Sequence, residues 1–219
     1  MTNPRIPETN DGIQNAPDVR EYDLFLKSMR DRGWLETDQI IKSGIKEGIA
    51  LEVGPGPGYL GLEWLKKTEG TKLKCIEISK NMIELARKNV REYGFRETRI
   101  EYIFGNAMDM PFSENSFDAV FSNGSLHEWE KTEIIFDEIH RVLKPGGKFF
   151  VSDLRRDVNL FLKGLLYISA KPKTIRKGLK TSLQASYTKK ELERIIRSTS
   201  IRKADITTNP IGLVVKGKK

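Results

Sequence analysis

The residues with the clearest chemical meaning lie between positions 51 and 77. Leu51-Glu52-Val53-Gly54-Pro55-Gly56-Pro57-Gly58 leads into a helical pattern, and Glu77 stands nineteen residues beyond Gly58. Glycines at that spacing let a backbone turn tightly and approach a ligand where a Cβ would clash. An acid near the end of the next apolar run, Lys74-Cys75-Ile76-Glu77-Ile78, can accept hydrogen bonds from both hydroxyls of a ribose. A dinucleotide and S-adenosylmethionine are both held by that physics, and the fragment alone does not choose between them. Gly56-Pro57-Gly58-Tyr59-Leu60-Gly61 also satisfies G-x-G-x-x-G, a match that is weak by itself.

Such residues need strands and helices to hold them, and the apolar pattern supplies both. A helical stretch over 18–43, with Tyr22, Phe25, Leu26 and Met29 on one stripe and a break at Gly33-Trp34, precedes the first strand. Then come strand Ile49–Val53, helix Tyr59–Lys67, strand Lys72–Ile78, helix Met82–Tyr93 and strand Arg99–Phe104. Ser79 stands as N-cap of the second of these helices and Gly94 just past its end. Strand Asp118–Ser122, helix Thr132–Leu143, a turn at Pro145-Gly146-Gly147 and strand Lys148–Asp153 follow. Alternation at this spacing predicts an α/β fold with a doubly wound, mostly parallel sheet. A helix at Lys189–Ser198 and two runs, Ile201–Thr207 and Gly212–Lys216, separated by Asn209-Pro210, predict an antiparallel strand pair at one side.

The 219 residues suit one domain. Its expected parts are an N-terminal helical embellishment (1–47), a cofactor-binding core (48–154), a lid (155–187), and a C-terminal helix with its strand pair (188–219). The polar first twenty residues and the lack of any run of ~20 apolar residues predict a cytoplasmic protein without signal or transmembrane segment. The one cysteine, Cys75, falls in a predicted central strand as a small buried hydrophobe, and two histidines, His127 and His140, make no His-rich metal site, so no metal is expected. The charge of +8 is uneven: residues 155–219 carry seventeen Lys or Arg against four Asp or Glu, so residues 1–154 are net acidic. The basic half suits an anionic substrate, RNA, a membrane surface, or a merely solvated face.

Four further stretches join the glycine loop: Gly105-Asn106-Ala107-Met108-Asp109-Met110-Pro111-Phe112, Phe117-Asp118-Ala119-Val120-Phe121, Ser122-Asn123-Gly124-Ser125-Leu126-His127-Glu128-Trp129, and Arg141-Val142-Leu143-Lys144-Pro145-Gly146-Gly147-Lys148-Phe149. Together, in order, they resemble the class I S-adenosylmethionine-dependent methyltransferases over about residues 48–154, and within them the small-molecule branch that includes quinone-biosynthesis C-methyltransferases. The resemblance implies a seven-stranded Rossmann-like sheet ending in the antiparallel pair, S-adenosylmethionine as cofactor and S-adenosylhomocysteine as product. It places Gly54, Pro55 and Gly56 at the methionine moiety, with Glu52 ordering the loop or the nearby ammonium. Glu77 and Ile78 fall at the ribose, Asn106, Ala107 and Met108 at the adenine, and Ser122, Asn123 and Ser125 at the sheet's switch region. Asn106 departs from the usual Asp, and a neutral acceptor bonds the adenine amino group more weakly.

Methyl transfer from a sulfonium is an in-line displacement, so positioning alone can lower the barrier by roughly 7–11 kcal/mol and a general base is optional. His127 is the best candidate for one, with Glu128 behind it. Tyr22 and Tyr187 are expected to wall a site roofed by the N-terminal helix and residues 155–187. Leu160, Phe161, Leu165, Leu166 and Tyr167, flanked by Arg155, Arg156, Lys171, Lys173 and Arg176, suit an anionic or amphiphilic small acceptor, with peripheral membrane contact as a further option. An RNA methyltransferase and a non-catalytic cofactor binder are the alternatives; no recognisable RNA-binding module accompanies the charge. Composition says nothing about oligomers.

Overall fold

The structure, a computed structural model, describes residues 3–8, 12–96, 98–170 and 175–219. Lys171 and Lys173, named above as flanking charges, lie outside the described residues. A seven-stranded sheet is built from β1 (Ile49–Val53), β2 (Lys72–Glu77), β3 (Ile100–Phe104), β4 (Phe117–Asn123), β5 (Leu143–Leu154), β6 (Asp205–Thr208) and β7 (Gly212–Lys218), in the order β3-β2-β1-β4-β5-β7-β6. The first five strands are parallel, and β7 runs antiparallel to both β5 and β6. The chain crosses from β3 back to β4 beside β1, so the strand order reverses there. At this switch the carboxyl ends of β1 and β4 open a crevice.

Helices cover both faces because the central strands are apolar on both sides. Strand alternation sends Leu51, Val53, Val120, Phe149 and Val151 to one face, where α5 (Thr132–Val142) and α8 (Lys189–Ser198) bury Phe136, Ile139, Leu192 and Ile196. Ala50, Cys75, Phe121 and Phe150 face the other way. There α2 (Thr37–Lys42), α3 (Tyr59–Lys67) and α4 (Lys80–Glu92) cover them with Ile40, Leu62, Trp64 and Ile83. Trp64 is fully enclosed and its indole N–H donates to the Ile45 carbonyl at 2.9 Å, so its burial leaves no polar atom unpaired.

Local signals account for the punctuation. Ser79 Oγ accepts from the Met82 amide, and Gly94 follows the end of α4 with φ of +71°. The expected helix over 18–43 is two helices, α1 (Ala16–Asp31) and α2, separated where Gly33 turns with φ of +69°. Pro145-Gly146-Gly147, expected as a turn before a strand, lies within β5. There the Gly146 amide donates to the Lys219 carbonyl and the Lys219 amide to the Gly147 carbonyl, so the chain's last residue extends the ladder. The strand expected from Ile201 begins only at Asp205, because Arg202 adopts φ of +56°. Over 155–187 two helices form, α6 (Leu160–Ser169) and α7 (Ile175–Ala185). No helix among the described residues is long and apolar enough to cross a membrane.

Candidate functional site

The glycine loop leaves β1 at the crevice and bends through three left-handed residues, Gly54, Gly56 and Gly58, with φ of +65°, +53° and +84°. Side chains are excluded there twice over. A Cβ on Gly54 would stand 2.7 Å from Ser125 Cβ, and one on Gly58 would stand 2.2 Å from the Tyr102 hydroxyl. Pro55, buried, offers its carbonyl to the Gly58 amide at 3.0 Å and closes the turn. Glu77 ends β2 beside the loop: its Oε2 accepts from the Gly56 amide at 3.0 Å and its Oε1 from the Ser79 amide at 2.9 Å. Burial raises the Glu77 carboxyl above the usual range, against those amides and that of Ile78, which favour the charge. The Gly56 and Ser79 amides take one lone pair on each oxygen, so acceptor capacity remains for a ribose.

Tyr22, on α1, lays its ring over the loop, so that a Cβ on Gly56 would be 3.4 Å from Tyr22 Cε1. Burial, then the charges of Glu128, Asp153 and Glu77, push its hydroxyl well above the tyrosine range, which locates the ring among all three carboxylates. Ile78 lies under the N-terminal segment: its carbonyl accepts from Gln14 Nε2 at 3.4 Å, and the next residue's Ser79 Oγ donates to the Ile13 carbonyl. Past β3, Asn106 is exposed and its Oδ1 accepts from the Met108 amide at 2.9 Å, shaping the loop in which Ala107 and Met108 are half-buried. Ser122 and Ser125 are buried and bonded to each other at 2.7 Å. Ser122 Oγ also donates to the Val53 carbonyl, and Trp129 Nε1 donates to Ser125 Oγ. This chain of bonds ties β4 to the root of the glycine loop. Asn123 donates from Nδ2 to Ser152 Oγ at 2.9 Å and joins β4 to β5.

Glu52, expected at the loop or the ammonium, is placed elsewhere. It alternates with Leu51 and Val53 and therefore points to the α3 face, where Oε2 lies 3.9 Å from Cys75 Sγ and is backed by the Gly61 amide. It is 2 % exposed, and burial foremost, with the Glu77 charge adding, pushes its carboxyl up to about 8 from the ordinary 4.5. The folded chain thus keeps a proton that the unfolded chain releases, so stability present below pH 4.5 is lost as the pH rises towards 8. Glu52→Gln, neutral throughout, is expected to match the parent near pH 5. At pH 8 it should be more stable by a few kcal/mol, since each tenfold difference in proton affinity between folded and unfolded chain is worth about 1.4 kcal/mol. Denaturant midpoints across that range check this, and parallel pH slopes for the two proteins refute it.

His127 belongs to a short 3₁₀ turn, Leu126–Glu128, and is 7 % exposed. Asp153, near the carboxyl end of β5, accepts from the His127 amide at 2.7 Å and sits 2.8 Å from Nδ1 through the same Oδ2. On the other side of the ring Nε2 faces Glu8 Oε2 at 3.3 Å. Burial alone would lower the imidazole pKa. The charge and hydrogen bond of Asp153, then Glu128 and Glu8, outweigh it and push the ring up to about 9. A ring protonated at neutral pH has no free lone pair, which argues against the general-base role expected of it. Glu128, half-buried, accepts no hydrogen bond among the described residues, and burial pushes its carboxyl up to about 7.

Glu8, Arg5 and Asp153 were not singled out in the sequence. Asp153 had a signal, an acid closing an apolar strand at the crevice side; Glu8 and Arg5 had none, lying more than a hundred residues from their partners. Arg5 anchors the N-terminal segment by donating to the Ala185 and His127 carbonyls and stacking over the Tyr187 ring at 4.2 Å. Tyr187 is buried and bonded to Thr132 Oγ1 at 2.8 Å, which makes it part of that clamp. Two flanking arginines are likewise committed to the fold. Arg155 pairs with Asp157, and the 5 % exposed Arg156 binds the Asn3 and Ser186 carbonyls and Glu191. Neither is free to receive an anionic acceptor in this arrangement.

A Rossmann-like sheet with a glycine loop at its switch and an acid ending β2 defines a nucleotide-cofactor protein. Residues 51–151 match the family model for the methyltransferase domain. The chain is 38% identical over 125 residues to a demethylmenaquinone methyltransferase of Bacillus velezensis, covering 56% of this chain and 50% of that one. It is 31% identical over 147 residues to phosphoethanolamine N-methyltransferase 2 of Caenorhabditis elegans, covering 66% and 32%. It spans about half or less of the length of the curated relatives it matches. Among solved structures, a Methanococcus maripaludis chain assigned to the S-adenosylmethionine-dependent methyltransferases shares the fold, with a TM-score of 0.73 at 22% identity over 99% of this chain and 95% of that one. An S-adenosylmethionine-dependent methyltransferase from Aquifex aeolicus gives 0.70 at 18% identity, over 94% and 99%. Residues 51–151 thus match a methyltransferase domain, within a chain that has the fold of the S-adenosylmethionine-dependent methyltransferases.

Proposed function

We propose that the protein transfers the methyl group of S-adenosylmethionine to a small amphiphilic acceptor by in-line displacement. The observation that carries this reading is Glu77, set at the end of β2 against the Gly56 amide with acceptor capacity to spare. The ribose hydroxyls take that capacity, the methionine moiety lies along Gly54 to Gly56, and the adenine meets the loop of Asn106, Ala107 and Met108. Glu77, Glu128 and Asp153, which together act on Tyr22, offer negative potential to a sulfonium. Positioning carries the reaction, since displacement at an activated methyl needs no base.

An amphiphilic acceptor is favoured by the lid. Leu160, Phe161 and Ile168 of α6 are 86%, 75% and 72% exposed, an unusual amount of apolar surface for one ten-residue helix. Residues 158–190 hold eight Lys or Arg and no acid, which suits a polar-headed or membrane-presented substrate better than an apolar one alone. Similarity to enzymes named for demethylmenaquinone and phosphoethanolamine supports a small molecule over RNA.

The experiment is methyl transfer from labelled S-adenosylmethionine to a panel of quinone-like and headgroup-bearing acceptors, alongside bulk RNA. Labelling of an amphiphile supports the reading; labelling of RNA alone, or of nothing despite tight cofactor binding, overturns it. For an acceptor with an apolar tail, Phe161→Ser is expected to raise KM about tenfold or more, the equivalent of losing one buried aromatic contact. S-adenosylhomocysteine affinity should not change.

A further inference from the structure

Three carboxylates converge on one buried imidazole: Glu8 at Nε2, Asp153 at Nδ1, and Glu128 alongside. Two of the three have a simple role. Asp153 takes the His127 amide and Nδ1 together and so fixes which way the ring points. Glu8 is carried by an anchored strap, with the Ile6 amide on the Gln184 carbonyl and Arg5 on the His127 carbonyl, and its only other polar contact among the described residues is a long one of 3.5 Å from Ser182 Oγ. Glu128 is unexplained by the fold. Its half-buried carboxylate accepts no hydrogen bond among the described residues.

We propose that Glu8, His127 and Glu128 form a divalent-cation site beside the cofactor crevice, with Asp153 orienting the histidine. Their donor atoms lie within 4.8 Å of one another, and the Nε2–Oε2 pair of His127 and Glu8 is 3.3 Å apart. A cation about 2.1 Å from each donor needs separations of about 3 to 4.2 Å, so closure of the widest pair by roughly half an ångström completes the set. A histidine that keeps Nδ1–H on a carboxylate and gives up its Nε2 proton to solvent as the ion binds is the usual carboxylate–histidine–metal relay. One imidazole nitrogen with two carboxylates suits Zn²⁺, Mn²⁺ or Fe²⁺ better than Mg²⁺, which prefers oxygen and keeps its water. Three protein ligands leave positions open, so the cation can take an oxygen of the acceptor and turn an acid-lined crevice into one that receives electron-rich acceptors. That last step rests on the methyltransferase reading; the cation site itself does not.

The test uses the full chain freed of metal by chelator and then titrated with Mn²⁺ or Zn²⁺, with Mg²⁺ as the contrast, following heat by calorimetry and free Mn²⁺ by its paramagnetic signal. One ion per chain at micromolar or lower Kd is expected. Glu128→Gln, which removes no hydrogen bond of the fold, should weaken binding about 100-fold, and Asp153→Asn about 10- to 100-fold. S-adenosylhomocysteine titrated into the metal-free protein reads the cofactor site separately. The absence of a stoichiometric site below millimolar Mn²⁺ and Zn²⁺ overturns the proposal, as does binding that Glu128→Gln leaves unchanged. Loss of S-adenosylhomocysteine binding with the ion retained would instead count against the methyltransferase reading.

Discussion

Glu77→Ala is expected to lower affinity for S-adenosylmethionine and S-adenosylhomocysteine by about two orders of magnitude or more. Two ribose hydroxyls donating to a carboxylate are charge-assisted bonds worth roughly 1.5–3 kcal/mol each, and both go at once. The same change strips acceptors from the amides of Gly56 and Ser79, so the loop that should meet the methionine moiety loses its tether to β2. Glu77→Gln separates the two contributions. Its one remaining oxygen can hold the Gly56 amide, and the variant should keep most of the parent's stability while still losing most of its affinity. Calorimetric titration with S-adenosylhomocysteine, run beside denaturant unfolding, checks both; an unchanged Kd for Glu77→Ala removes the ribose assignment.

Gly61→Ala is expected to destabilise the protein by on the order of 2–3 kcal/mol, the reverse of what helix propensity predicts. Within a helix Ala is ordinarily favoured over Gly by about 1 kcal/mol. Gly61 lies in α3 against the sheet, however, and a Cβ there would stand 2.2 Å from Glu52 Oε2 and 2.4 Å from Leu73 Cδ2. The Glu52 carboxyl cannot retreat, since it is enclosed between α3 and Cys75. Overpacking of this kind shifts backbone as well as side chains. Combining Gly61→Ala with Glu52→Ala should recover part of the loss, and equal losses in both backgrounds would mean that the carboxyl is not the obstacle. The third glycine of G-x-G-x-x-G thus serves helix-to-strand packing, whichever nucleotide the loop accepts.

Much of the core was legible because local pattern and tertiary environment agree there. A strand buried on both faces reads as an unbroken apolar run, as at Ile49–Val53, and α8 ends on the residues expected of it. Boundaries moved where pairing or packing outside the local segment decided them. The extension of β5 back through Pro145 depends on Lys219, seventy-odd residues away, and α1 and α2 part at Gly33. Of the site, the glycine loop and Glu77 could be read from spacing alone. Glu52 could not: its type suggested a ligand, but strand alternation turns it towards α3. Ser122 and Ser125 occupy the expected switch region while spending their hydroxyls on each other, Val53 and Trp129.

By itself the sequence determined the class of fold, the place of the crevice and the acid at the end of β2. Those follow from period, turn chemistry and short spacings, which act within a few residues of the chain. Only the tertiary structure decided what His127 is. Proton affinity is set by charges within a few ångströms, and the charges that raise it come from β5 and from an N-terminal strap more than a hundred residues earlier. No local pattern encodes that meeting, and it is what gathers Glu8, His127 and Glu128 in one place.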